Sequence, residues 1–398
     1  MIMNNADTEN SDKIDAAQQN LLSIKSLSLT NFRNYTSAEI NVNSDIILLC
    51  GDNGAGKTNI LEAISLLSPG RGIRKAKNNM LINNSERDVI HHKKWAVFAN
   101  IYTPAYGDIS LATGNVPSEI SDGKEKRIIK LNGNKISQND LTRFISVSYL
   151  TPSQDHIFTE GTTSRRQFLD RLSSHFYTDH IKHLSTYNHF KNERKKILAM
   201  SNLDTTWLAM IEKKMAEQAV AIADARIETI ILLQNSIMDS ESCFPKAIIS
   251  PIGETEEFLQ QNSALETEEF YIKKLHENRN KDSLSNKTNF GIHKSDFSAI
   301  HPQKKLRAEL CSMGEQKALI LSIIIANFKA KKKFSGYSPI VLLDEVITHL
   351  DDDKRESLLS ELLSTKAQYW ITGTDSFLFK KIIDKSQLLT VENATVLG

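Results

Sequence analysis

Residues 46–58 read IILLCGDNGAGKT, and residues 59–67 continue as NILEAISLL. The apolar run 46–50 is typical of a strand covered on both faces. Gly51, Gly54 and Gly56 then form a loop, after which Ile60, Leu61, Ile64 and Leu67 recur at helical spacing. Strand, glycine loop and helix is the setting in which G-x-x-x-x-G-K-[ST] cradles phosphates. The backbone N–H groups of Gly51, Asp52, Asn53, Gly54, Ala55 and Gly56 can converge on phosphate oxygens at the start of the helix. Lys57 adds a point charge toward the outer phosphates, and the Thr58 hydroxyl can ligate Mg²⁺. A chance glycine turn would not carry both flanking elements, so the pattern predicts an α/β nucleotide-binding fold.

The missing half of such a site stands far downstream. Residues 339–345 read PIVLLDE, an apolar strand that delivers Asp344 and Glu345 to its C-terminal edge, where ligands bind in open α/β sheets. Asp344 is predicted to hold Mg²⁺, directly or through water. Glu345 is predicted to orient or deprotonate an attacking water, so that Glu345 and Lys57 carry the chemistry.

Just upstream, residues 311–316 read CSMGEQ at the start of an apolar helix. Ser312 offers a hydroxyl, Gly314 a close approach, and the turn free N–H donors, which together make a second anion-binding device. A phosphate loop, a Ser-x-Gly-Glu turn and a strand ending in two carboxylates resemble the ATP-binding-cassette (ABC) type of ATPase. That resemblance implies nucleotide sandwiched in a head-to-tail dimer, with Ser312, Gly314 and Glu315 reading the nucleotide held by the partner. Asp351, in HLDDD at residues 349–353, resembles the loop that crosses the same interface.

Composition limits the alternatives. The 398 residues carry 49 basic and 48 acidic side chains, so affinity for a polyanion must come from local clusters and not from a global field. Candidate clusters lie at residues 71–77, 124–135, 191–196 and 329–333, although for any single one a solvated face is the better reading. Three cysteines are too few and too scattered for a disulfide framework, which points to the cytosol. The most apolar segment, residues 318–328, falls short of the roughly 18–20 residues needed to cross a bilayer, so no membrane role is expected. Residues 1–21 read as a disordered tail.

Period-two patterning over residues 24–32 and short β-rich runs over 95–150 predict a largely antiparallel sheet, and helical spacing dominates 165–240. Phe168, Phe176 and Phe190 lie on a helical stripe and read as core. Residues 251–290 read as surface loops with a few short elements. The divisions expected are a tail at 1–21, the first part of an ATPase head at 22–160, a mainly helical insertion at 161–285, and the second part of the head at 286–398. His293, in GIHKSDF, reads equally well as structural or functional.

The long insertion between Lys57 and Asp344, with no recognisable coupling segment, argues against a transporter ATPase subunit, whose motifs lie much closer together, and leaves it the weaker alternative. Five further stretches then resemble the RecF family in content and order: LTNFRNY (29–35), GRGIRKA (70–76), GTTSRRQFLDRL (161–172), WLAMIEKKMAEQ (207–218) and GIHKSDF (291–297). The resemblance runs from about Leu22 to the C-terminus. It implies a split ABC-type P-loop head with an inserted helical subdomain, cofactors ATP and Mg²⁺, and an ATP-dependent homodimer. It further implies a slow, DNA-stimulated ATPase acting on gapped, single-stranded and duplex DNA, with RecR and RecO as partners and RecA loading as the outcome. Arg33 and Asn34 match positions that approach the nucleotide, and Gln154 stands where a metal-sensing loop is expected. Where related ATPases carry a histidine γ-phosphate sensor, Thr374 or Asp375 stands instead. A chromosome-organising head, the chief rival, would need a long heptad arm between residues 160 and 290, and none is visible.

Overall fold

The computed structural model describes residues 21–83, 94–116, 126–200, 204–347 and 350–398. It contains two units, one formed by residues 1–154 with 331–398 and the other by residues 155–330. In chain order the strands are β1 (Ser23–Phe32), β2 (Tyr35–Asn41), β3 (Ile46–Cys50), β4 (Ala96–Thr103), β5 (Gly107–Val116), β6 (Lys126–Leu131), β7 (Asn134–Ile136) and β8 (Val147–Leu150). They continue as β9 (Ile248–Ile252), β10 (Asp296–His301), β11 (Leu306–Arg307), β12 (Ile340–Leu343), β13 (Tyr369–Gly373), β14 (Gln387–Glu392) and β15 (Thr395–Leu397). The helices are α1 (Lys57–Ser65), α2 (Thr162–Phe176), α3 (His180–Leu198), α4 (Thr205–Met238), α5 (Glu254–Leu259), α6 (Ala264–Glu277), α7 (Arg279–Ser285), α8 (Met313–Ser335) and α9 (Asp352–Ser364).

The first unit holds two six-stranded sheets. One is antiparallel, in the order β2-β1-β4-β5-β6-β7. The other runs β15-β14-β3-β13-β12-β8 and is parallel throughout except for its edge strand β15. All residues of β3, β12 and β13 are buried, which is why these strands read as unbroken apolar runs. Because β13 lies between β3 and β12, the loops leaving the C-terminal ends of all three open at one edge.

The second unit is built on α4, 34 residues long, against which α3 and α6 pack around Leu208, Ile211, Met215, Ala219 and Ile222. Its small sheet, β11-β10-β9, pairs residues 296–300 with 248–252. That pairing draws β10 into this unit, so the division falls at 330 and not at the 285 read from sequence. Residues 251–290, expected as surface loops with a few short elements, are mostly helical, forming α5, α6 and α7. The start of α6 carries a capping box between Ser263 and Glu266, and Tyr271 and Leu275 bury its inner face.

Candidate functional site

The turn after β3 needs its glycines. A Cβ on Gly51 (φ 152°) would lie 2.2 Å from the Val391 carbonyl oxygen, and one on Gly56 (φ 125°) would lie 2.5 Å from the Tyr35 hydroxyl. Gly56 enters α1 with no side-chain cap, leaving the first N–H groups of the helix for an external acceptor. Asp52, Asn53 and Gly54 line the exposed part of the loop, and Ala55 is half-buried. Lys57, only 4 % exposed, donates from Nζ to the carbonyl oxygens of Gly51 (2.5 Å) and Asp52 (2.8 Å). It meets no carboxylate there, so its charge remains available to a phosphate.

Across the sheet edge, Thr58 Oγ1 donates to Asp344 Oδ1 at 2.9 Å, joining residues 286 positions apart. Thr372 Oγ1, at the end of β13, donates to the same oxygen at 2.9 Å and accepts from the Glu345 N–H at 2.9 Å. Burial pushes the Asp344 carboxyl above its ordinary value, and the two hydroxyls offset part of that rise. A hydroxyl and a desolvated carboxylate side by side suit a hard divalent cation that takes its remaining oxygens from phosphates and water. No cluster of three or more His, Cys, Asp or Glu ligands occurs among the described residues. Glu345 sits in a left-handed conformation (φ 51°), the kind of local strain that collects at functional turns. Its carboxylate carries no hydrogen bond or ion pair among the described residues.

Asn34 lies against the phosphate loop, donating to the Ala55 carbonyl at 3.1 Å and accepting from Asn59 at 2.7 Å. Arg33 instead forks onto Glu62 of α1 (2.7 and 2.6 Å), so its guanidinium braces the helix and not the loop. Arg74 joins the same group, at 2.6 Å from Asn59 Oδ1 and 3.4 Å from Glu62, and its charge also reaches Asp344. In the sequence Arg74 is only one of a basic run, and Thr372 carries no assignment. The sole signal for Thr372 is a polar residue at the end of an apolar strand. Gln154 follows β8, but its amide oxygen accepts from its own turn at Thr151 N–H (3.2 Å) and does not join the Thr58–Asp344 pair. Asp375 caps the next turn through the Phe377 N–H at 2.9 Å.

The residues of the 311–316 turn belong to the second unit. Glu315 accepts from the Ser312 N–H at 2.9 Å and meets Lys304 at 2.5 Å; Lys304 first, then Ser312, holds its carboxyl down at about 2. Glu315 is thereby committed as a helix cap. A Cβ on Gly314 would meet nothing within 4 Å, and Leu310 and Met313 are 67 % and 61 % exposed, so the turn presents a bare, partly apolar face. Asp351 caps α9, accepting from the Lys354 N–H at 2.9 Å, with Lys354 Nζ at 2.6 Å holding its carboxyl below the usual range. His349, its neighbour in HLDDD, lies outside the described residues.

Known proteins place this arrangement. The model of the RecF/RecN/SMC N-terminal domain family matches residues 23–396. The DNA replication and repair protein RecF of Rickettsia prowazekii (strain Madrid E) is 39 % identical over 92 % of this chain and 98 % of its own. This chain belongs to the RecF family. RecF of Rickettsia akari (strain Hartford) is likewise 39 % identical, over the same shares of the two chains. Among solved structures, the recombination mediator RecF in its ATP form superposes with a TM-score of 0.80 at 22 % identity, covering 95 % of this chain and 99 % of that one. An SMC head bound to the C-terminal winged-helix domain of ScpA reaches 0.50 at 16 % identity, covering 94 % and 97 %. These likenesses make the fold that of a RecF-type ABC ATPase head, and ATP hydrolysis is the activity the family implies. Among the described residues no helix is long and apolar enough to cross a membrane.

Proposed function

We propose that this RecF protein is an ATP-switched recombination mediator that closes as a head-to-tail homodimer on DNA. The observation that carries the reading is the 2.9 Å contact between Thr58 and Asp344, next to Glu345, whose carboxylate has no bonded partner among the described residues. The backbone donors of residues 51–56 and the start of α1 bind the phosphates, and Lys57 turns from its two carbonyls toward them. Mg²⁺, held by Thr58 and Asp344, would neutralise charge on the outer phosphates. Glu345, fixed through its N–H by Thr372, takes the proton of the attacking water. Ser312 and Gly314 read the nucleotide of a second copy, and the bare Leu310 and Met313 are covered when the two copies close. Asp351 lies at the same interface.

Support for the ATP reading comes from the fold shared with a RecF solved in its ATP form, and support for work on DNA from relatives named for replication and repair. In this reading the protein binds gapped, single-stranded and duplex DNA, acts with RecR and RecO, and helps to load RecA. Hydrolysis is slow and DNA-stimulated, and it releases the dimer by removing the bridging γ-phosphate.

Three variants test the reading through nucleotide affinity, dimer fraction by light scattering, and phosphate release. Lys57→Ala should lose ATP binding. Ser312→Arg should keep ATP binding but fail to dimerise, and Glu345→Gln should bind, close and stall. If Ser312→Arg lost ATP affinity as severely as Lys57→Ala, the turn would be a local cap and the sandwich would be wrong.

A further inference from the structure

In the second unit most half-buried and buried cations have found an acid. Arg165 meets Asp296 at 2.7 Å, Arg194 meets Glu212 and Asp282, Arg226 meets Asp170 and Glu256, and Arg279 meets Glu212. Arg166 and Lys191 depart from this pattern, and the exposed Lys294 lies beside them. Arg166 donates to the Ser295 carbonyl at 2.9 Å and, at 3.4 Å, to the Thr163 hydroxyl, while Lys191 and Lys294 pair with no carboxylate among the described residues.

The three are close together, and Arg166 and Lys191 are held in place. Lys191 Nζ lies 5.9 Å from the centre of the Tyr187 ring, one helical turn back on α3. Tyr187 cannot turn away, since its hydroxyl is 2.8 Å from both Tyr271 Oη and His293 Nδ1, and a Cβ on Gly291 would lie 2.6 Å from it. His293 Nε2 donates to the Thr288 carbonyl at 2.8 Å, so both ring nitrogens are used and this histidine is structural. Lys294 follows it in the chain. Burial first, then Arg166 and Lys294, hold the Lys191 ammonium below its usual range. The acids near Arg166, which are Asp170, Glu256 and Asp296, are already bound by Arg226 and Arg165. Arg166 and Lys191, each held in place, with the exposed Lys294 beside them and the nearest acids already bonded to other arginines, form a basic cluster open to an anion.

We propose that Arg166, Lys191 and Lys294 form a phosphodiester-binding site through which the inserted unit grips the DNA backbone. The inference rests on the DNA reading above and names where this unit meets the nucleic acid. Donors with no acceptor among them suit a backbone of repeated oxyanions and read no base sequence.

The test is binding of a fluorescent oligonucleotide, single-stranded and duplex, to the full chain over a salt series. Lys191→Ala with Lys294→Ala should lower the slope of log affinity against log salt by about 0.9 for each duplex phosphate that is no longer neutralised, and by about 0.7 on single strands. ATP affinity should not change, and Lys191→Arg should restore its share of the slope. The control removes the same charge from exposed positions of the same helix, with Lys182→Ala and Lys195→Ala, and should keep the wild-type slope. Lys294→Ala alone, at an exposed side chain, keeps the test open if the double variant folds poorly. A wild-type slope in the Lys191/Lys294 double variant, or an equal fall in the control, overturns the site while leaving DNA binding standing. Absence of any DNA binding by the unaltered protein overturns the DNA reading itself.

Discussion

Two buried carboxylates, Asp170 in the second unit and Asp344 in the first, are treated in opposite ways. In the second unit Arg226, 1 % exposed, donates to both oxygens of Asp170 (2.8 and 3.1 Å), to Glu256 (3.0 Å) and to the Ile292 carbonyl (3.0 Å). In the first unit Asp344, 5 % exposed, meets two hydroxyls and no bonded cation, while Lys57 meets two carbonyls and no acid. Burial opposes the charge on Asp170, but Arg226 and His180 outweigh it and hold that carboxyl down at about 2; at Asp344 burial prevails and the carboxyl rises. A buried charge satisfied from within serves the fold. One left without a counter-charge makes the fold wait for a ligand.

The largest effect should come from breaking the satisfied side. Arg226→Ala would leave Asp170 with His180 and Glu256 with the Ser295 hydroxyl in a dry interior without their arginine, and removing one partner of a buried pair costs about 3–5 kcal/mol. Urea unfolding should show this as a midpoint shift with the slope retained. Arg226→Lys should recover little, since an ammonium cannot reproduce the planar fork that spans both acids. A loss below about 1 kcal/mol would show the network to be incidental and remove the contrast.

Next in size is acid sensitivity. Asp170 titrates at about 2 in the folded protein against an ordinary value of 3.8, so its stabilisation is complete above about pH 4 and disappears as pH falls toward 2. At about 1.4 kcal/mol per unit, roughly 2 kcal/mol is involved. Asp170→Asn should be less stable than the unaltered protein at pH 7, and the gap should narrow steadily between pH 4 and pH 2. A gap independent of pH would mean that Asp170 contributes by shape and not by charge.

How far this contrast is legible in the sequence depends on how local each signal is. The phosphate loop, the paired carboxylates and the Ser312 turn are readable because each chemistry sits within a few residues of its own strand or helix. Thr372 is not readable, since it acquires its place only when strands distant in sequence become neighbours, and Arg74 is one member of a basic run whose partners on α1 only the turn back onto that helix selects. The same holds for β10, whose pairing with β9 carries residues beyond 285 into the second unit, and for Arg226, which in sequence is one more charged residue on a long helix. Arg33 and Gln154 can be read by position alone, and side-chain geometry sends them to Glu62 and Thr151. Residue type and spacing reveal a backbone cradle, whereas partnership across a fold needs coordinates.

The smallest effect should have the opposite sign, and it tests the comparison most sharply. The folded-state value of Asp344 lies above its ordinary one, so the folded protein binds this proton more readily than the unfolded chain does. The benefit is present at low pH and is lost as pH rises through the folded value, leaving the ionised carboxylate a burden at neutral pH. Asp344→Asn keeps an oxygen to accept from Thr58 and Thr372 and removes the charge. Without nucleotide it should therefore raise Tm slightly at pH 7, where Asp170→Asn lowers it. With ATP and Mg²⁺ the order should reverse, because a ligand stabilises by its affinity for the folded state and the variant has given up the carboxylate that would face the cation. Thermal scans of the two variants, with and without MgATP, supply all the comparisons needed. If Asp344→Asn lowered Tm in the absence of nucleotide, Asp344 would be another satisfied charge of the Asp170 kind, and the distinction between the two carboxylates would fail.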